Sequence, residues 1–153
     1  MDSHGSTLEG IFDQLAADTG SIVTVCDNNV DSREFCSNDV LVRYTPCNRH
    51  SKDAGRDILS ITVYGSASLE FHRSEHDAGS SYMVDLRIDA ASIDEQLMRI
   101  SAAGPEFDQL VENFRKHKLD NASYFKEVLH ASEYADIKPL IYSIAGFTDN
   151  VCL

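Results

Sequence analysis

No apolar run in this chain approaches the roughly 18 to 20 residues that a membrane-crossing helix needs. The opening "MDSHGSTLEG" also lacks both the basic and the apolar region of an export signal. Together these absences predict a cytoplasmic protein without membrane contact. Phosphate-cradling loops of the G-x-x-x-x-G-K-[ST] and G-x-G-x-x-G types are missing, which removes nucleotide chemistry by those routes. There is no G-x-S-x-G elbow to present a serine nucleophile. Internal repeats, low-complexity tracts and Pro/Gly-rich linkers are absent as well, so residues 1–153 read as a single domain of ordinary size.

Cysteine is scarce, and its spacing is poor for chemistry. Cys26, Cys36, Cys47 and Cys152 form no C-x₂-C knuckle, and a cytoplasmic setting does not favour disulfides. A zinc set of Cys26, Cys36, Cys47 and His50 is conceivable from "CNRH" but lacks the paired spacing. Cys26, inside the β-branched stretch "SIVTVC", reads as a small buried hydrophobe. Cys36 or Cys47 with His50 could make a thiol nucleophile and its base, an arrangement that chance produces often.

Basic charge is the next shortage. Against 25 acidic residues stand 13 basic ones, for a formal charge of −12. The first forty residues carry Asp2, Glu9, Asp13, Asp18, Asp27, Asp31, Glu34 and Asp39 against Arg33 alone. Residues 41 to 56 are locally basic, with Arg43, Arg49, Lys52 and Arg56 against Asp53. Such a field repels nucleic acid and anionic membranes and attracts a basic protein. Acidity that only maintains solubility is the plainer explanation of the same numbers.

What is present is patterning. Ser6 and Glu9 fit a capping box ahead of Leu8, Ile11, Phe12 and Leu15 on one helical face, and Gly20 suits the helix end. From residue 21 the period becomes two. "SIVTVC", "DVLVRYTP", "ILSITVYG", "SASLEFH" and "SYMVDLRID" read as strands, while "DNNVDSREFCSND" reads as a polar, turn-rich connection in which "VDSREFC" is the alternative for a short edge strand. Short connections imply antiparallel pairing. Ser92 and Glu95 then open a helix with Ile93, Leu97 and Ile100 on one face. Pro105 begins another, which ends in "RKHK", where cations complement the helix dipole. "DNASYFKEVLHAS" and "IKPLIYSIAGF" read as two further helices. The expected fold is therefore α+β: an N-terminal helix, an antiparallel sheet of 4–5 strands, and a C-terminal cluster of 3–4 helices packed on one face.

One stretch invites a catalytic reading. "FHRSEHDAG" holds His72, Glu75 and His76 in the order H-x-x-E-H, as in zinc proteases that carry this order on a helix. Here the flanks alternate like strands, and in an extended segment the two histidines would stand roughly 13 Å apart. We read the pattern as a polar loop, with a metal-dependent hydrolase as the alternative it leaves. Asp85, Arg87 and Asp89 alternate along the last strand, either as a solvated face or as a polar patch on a flat recognition surface. Tyr44, Tyr64, Tyr82, Phe71 and Phe35 fall on strands, but without basic companions they suit packing better than base stacking.

The sequence thus points to a non-enzymatic acidic protein-binding domain, of the inhibitor or immunity type, that masks a basic partner and needs no cofactor. Its expected contact residues are Asp27, Asp31, Glu34 and Asp39 for steering, with Phe35 and Tyr44 as aromatic anchors. Phe35 reads equally well as core. The other reading is a chaperone-like or adaptor homodimer, suggested by more helical stripes than a small sheet can bury.

Overall fold

Alternation builds the sheet. Phe35, Val42, Ile61, Leu69 and Leu86 stand directly opposite one another across five successive strands, and each is at most 2% exposed. Their chain neighbours point the other way. The computed structural model describes residues 7–25, 32–46, 57–73 and 82–148. In it the strands β1 (Thr24–Val25), β2 (Arg33–Ser37), β3 (Val40–Thr45), β4 (Ile58–Val63), β5 (Ala67–Arg73), β6 (Tyr82–Asp89) and β7 (Tyr124–Ala131) form one antiparallel sheet in sequence order.

Four helices cover one face of this sheet. They are α1 (Leu8–Thr19), α2 (Ile93–Ala103), α3 (Asp108–His117) and α4 (Tyr134–Ala145). Each turns an apolar stripe inward: Ile11, Phe12 and Leu15 from α1, Leu97 and Ile100 from α2, Val111 and Phe114 from α3, and Leu140, Ile141 and Ile144 from α4. These stripes join the inward strand residues in one hydrophobic cluster. Polar ties fix the layer. Arg99 of α2 donates to the Ile144 carbonyl at 2.9 Å, Lys118 after α3 pairs with Asp94 at 2.6 Å, and Tyr142 of α4 bonds Asp18 of α1. Fully buried Gln96 donates to Ser66 at 2.8 Å, which anchors α2 to the β4–β5 hairpin.

The α+β class agrees with the alternation and the helical stripes, but the strand count does not. The sheet has seven strands rather than four or five. The segment 124–131, expected to be helical, is β7, and it separates α3 from α4. "YFKEVLHA" satisfies both periods, since Phe125 and Leu129 share a face at spacing four and also at spacing two. Pairing decides between them, because β6 would otherwise end the sheet with a row of unmet backbone groups.

Smaller corrections concern caps and edges. Thr7 caps α1, its Oγ accepting from the Gly10 amide at 2.9 Å, while Ser6 lies outside the described residues. Gly20 ends that helix in the left-handed conformation, as its position suggested. Ser92 sits at the start of α2 but makes no cap; its hydroxyl donates instead to the Gly65 carbonyl at 3.2 Å. "SIVTVC" contributes only the two exposed residues of β1, and Cys26 lies outside the described residues.

The inward face of β7 contains one charged residue, Glu127, and α3 supplies its partner. His117 at the end of α3 bonds Glu127 at 2.7 Å and approaches Asp120 at 3.3 Å, while its ring stacks on Phe125. Asn113 holds the other Glu127 oxygen at 3.2 Å. The bond to Glu127 raises the His117 pKa above its ordinary value, partial burial opposes the shift, and Asp120 adds to it. A histidine whose folded pKa is raised contributes stability that is full below its unfolded value of about 6.5 and fades as pH climbs through the folded value. The His117 ring should therefore titrate above about 6.5 by NMR. His117→Gln should flatten the loss of stability across that window, and a midpoint at or below the unfolded value would contradict this geometry.

Phe35 provides the test of the core. Its ring packs 5.4 Å from that of Phe12. Phe35→Ala should cost about 3–5 kcal/mol in urea unfolding. A nearly unchanged melting temperature would mean that the ring is not part of the core.

Candidate functional site: the open face of the sheet

The outward side chains follow from the same register. Glu34, Arg43, Ser60, Glu70, Asp85 and Val128 form a row across six strands, each opposite the next. Arg43 bonds Glu34 at 2.7 Å, which pairs the charges at one end of the row. Near the other end, Glu70 and Asp85 are two carboxylates placed directly opposite each other on β5 and β6. Facing like charges destabilise a strand pair. His72, two residues from Glu70 and therefore on the same face, lies between them. Its Nε2 stands 3.1 Å from Glu70 Oε1 and 3.6 Å from Asp85 Oδ2.

Beyond Asp85 the face changes character. Met83, Tyr124 and Val128 are 38%, 41% and 48% exposed on this face. The Arg87 guanidinium lies over the Tyr124 ring, 3.7 Å from its centroid, which holds both in place by a cation–π contact. A shallow groove bounded by Thr62, Ser68, Arg87 and Asp89 runs beside this pair. Carboxylates, a stacked arginine and aromatic or thioether surface therefore share one broad face. Aromatic residues, methionine and arginine are enriched at protein-contacting surfaces, and carboxylates are depleted there.

The residues expected to make contacts are divided by the structure. Glu34 lies on the open face, and Asp39 is exposed at the β2–β3 turn. Phe35 is core. Tyr44 is also 8% exposed, its ring lies near Phe12 and its hydroxyl donates to Asp57 at 3.1 Å. Burial first, and then Asp57, push the Tyr44 hydroxyl pKa upward. Both aromatics face the helices, so neither is presented to a partner. The Arg33 guanidinium stacks on Phe12 and Tyr44 and pairs with Glu9 and Asp13, which neutralises part of the N-terminal acidity. Asp27 and Asp31 lie outside the described residues, as do Glu75 and His76 of the H-x-x-E-H stretch. Of that motif His72 alone is described, and the structure joins it to Glu70 and Asp85. Cys36 is exposed on β2, while Cys47 and His50 lie outside the described residues.

Alternation along one strand puts Asp85, Arg87 and Asp89 on one face, but does not reveal Glu70, Met83, Tyr124 and Val128 as their companions. The i, i+2 spacing of "EFH" signals that Glu70 and His72 share a face. Their meeting with Asp85 depends on strand register, and Tyr124 and Val128 join only because β7 is a strand. No helix among the described residues is long and apolar enough to cross a membrane. No family model, curated protein or solved structure matches this chain.

The opposed carboxylates make a measurable prediction. In metal-free buffer at low salt, Asp85→Asn should leave stability unchanged or raise it by about 0.2–1 kcal/mol, because it removes one of two facing like charges. Urea unfolding reads this directly. A clear loss would show that the contact between His72 and Asp85 outweighs the repulsion.

Proposed function

We propose that this chain is a non-enzymatic, acidic protein-binding domain of the inhibitor or immunity type, which docks a basic partner on the open face of its sheet. The observation that carries the reading is a sheet face that no described helix covers. Among the described residues the helices lie on the opposite side, and this side combines the opposed Glu70 and Asp85 with the exposed Met83, Tyr124 and Val128. A lysine or arginine from a partner would relieve the facing carboxylates, and the aromatic and apolar groups beside them would lose water on contact. The overall charge of −12 speeds encounter with a basic surface and discourages nucleic acid. Glu34 and Asp39 serve in this reading as rim charges that steer the approach. The anchoring role expected of Phe35 and Tyr44 passes to Tyr124 and Val128. A cytoplasmic location accords with this reading.

A pull-down from the native source at low and moderate salt is the test. A basic protein should be retained at low salt and lost progressively as salt rises. With that partner in hand, Tyr124→Ala and Val128→Asp should speed dissociation while leaving the melting temperature close to wild type. Charge reversal at Glu34 or Asp39 should slow association and flatten its salt dependence. Recovery of no basic protein, or binding indifferent to both salt and Tyr124, would end the proposal.

A further inference from the structure

The geometry points to a divalent metal site on the open face, with Glu70, His72 and Asp85 as ligands to an ion of the zinc type. The inference goes beyond the partner-docking reading and does not depend on it, for an ion here takes the place which that reading gives to a partner's lysine or arginine beside Glu70 and Asp85. Among the described residues, these three bring one nitrogen and two carboxylate oxygens within 4.8 Å of one another. Ligands held at about 2.0–2.2 Å around a tetrahedral ion stand roughly 3.3–3.6 Å apart. The distances of 3.1 and 3.6 Å from His72 Nε2 to the two carboxylates bracket that spacing. The two carboxylate oxygens lie within 4.8 Å of each other, and the Glu70 side chain is 49% exposed.

Three features distinguish this set from an ordinary surface cluster. All three residues come from the paired strands β5 and β6, so the Cα positions are set by sheet register rather than by a loop. The imidazole adds a borderline donor to two hard oxygens, a set that suits zinc and neighbouring first-row ions better than calcium or magnesium. His72 and Asp85 are 22% and 25% exposed, so the ion would sit against the sheet with its outer positions open to water. Three protein ligands and an open fourth position is a recurrent zinc arrangement. A dication there would also offset the repulsion between Glu70 and Asp85.

The test uses the full chain without a histidine tag, stripped with chelator and titrated with zinc chloride by calorimetry. One ion should bind per chain. At about a hundred times the dissociation constant it should raise the melting temperature by about 5 °C or more. His72→Ala and Asp85→Asn should each weaken binding by more than the roughly tenfold loss that follows removal of a residue supporting a ligand. Glu70→Gln should also weaken it. Cobalt(II) should bind with the visible absorption of a four-coordinate ion, and that absorption should vanish in His72→Ala. All three residues face solvent, so each variant should fold, and its circular dichroism checks this. Absence of zinc binding would overturn the proposal. So would zinc binding that survives intact in both His72→Ala and Asp85→Asn, since the ion would then be held elsewhere in the chain.

Discussion

The structure depends on burying one face of a seven-stranded sheet, the face that the described helices cover. Phe35, Val42, Ile61, Leu69 and Leu86 form a continuous apolar row that needs a cover, and α1 to α4 provide it from four separate stretches of chain. Because strand side chains alternate, every inward residue fixes an outward neighbour. A one-residue slip of register would expose the row and bury Glu34, Arg43, Glu70 and Asp85 in its place. The hydrophobic face therefore holds the polar face in position, although among the described strand residues no outward one contributes to the core.

That coupling gives the open face a property that loops lack. Glu70, His72 and Asp85 have their backbone positions fixed by the pairing of β5 with β6. Groups held on rigid elements meet a ligand with less ordering cost than groups on mobile segments. The opposed carboxylates are locally unfavourable, and the buried face supplies the stability that tolerates them. Tyr124 is held in a similar way. It stands beside β6 because Phe125 and Ala131 are buried on the other side of β7, and Arg87 then stacks against it.

The helical layer has its own polar logic at the margin of the core. Glu127 continues the apolar row onto β7, opposite Leu86, and a lone carboxylate there would be costly. His117, Asn113 and the end of α3 satisfy it. The basic "RKHK" run thus does two jobs: Arg115, Lys116 and His117 complement the end of the α3 dipole, and His117 also secures the last strand.

Local sequence determined a good deal. The α1 stripe, the helix end at Gly20, the period-two stretches from β3 to β6, the break at Pro105 and the acidic balance were all legible, because each is set by residues within a few positions. Sharing of a face by Glu70 and His72, and by Asp85 and Arg87, follows from alternation alone. Tertiary structure decided the rest. Residues 124–131 fit a helix and a strand equally well until the edge of β6 was there to pair with them. Phe35 was an anchor or a core ring until α1 placed Phe12 against it. His72 belonged with Glu75 and His76 by sequence proximity, yet the sheet carried it to Asp85, thirteen positions away along the chain. Alternation tells which side chains share a face, but only strand register tells which of them meet.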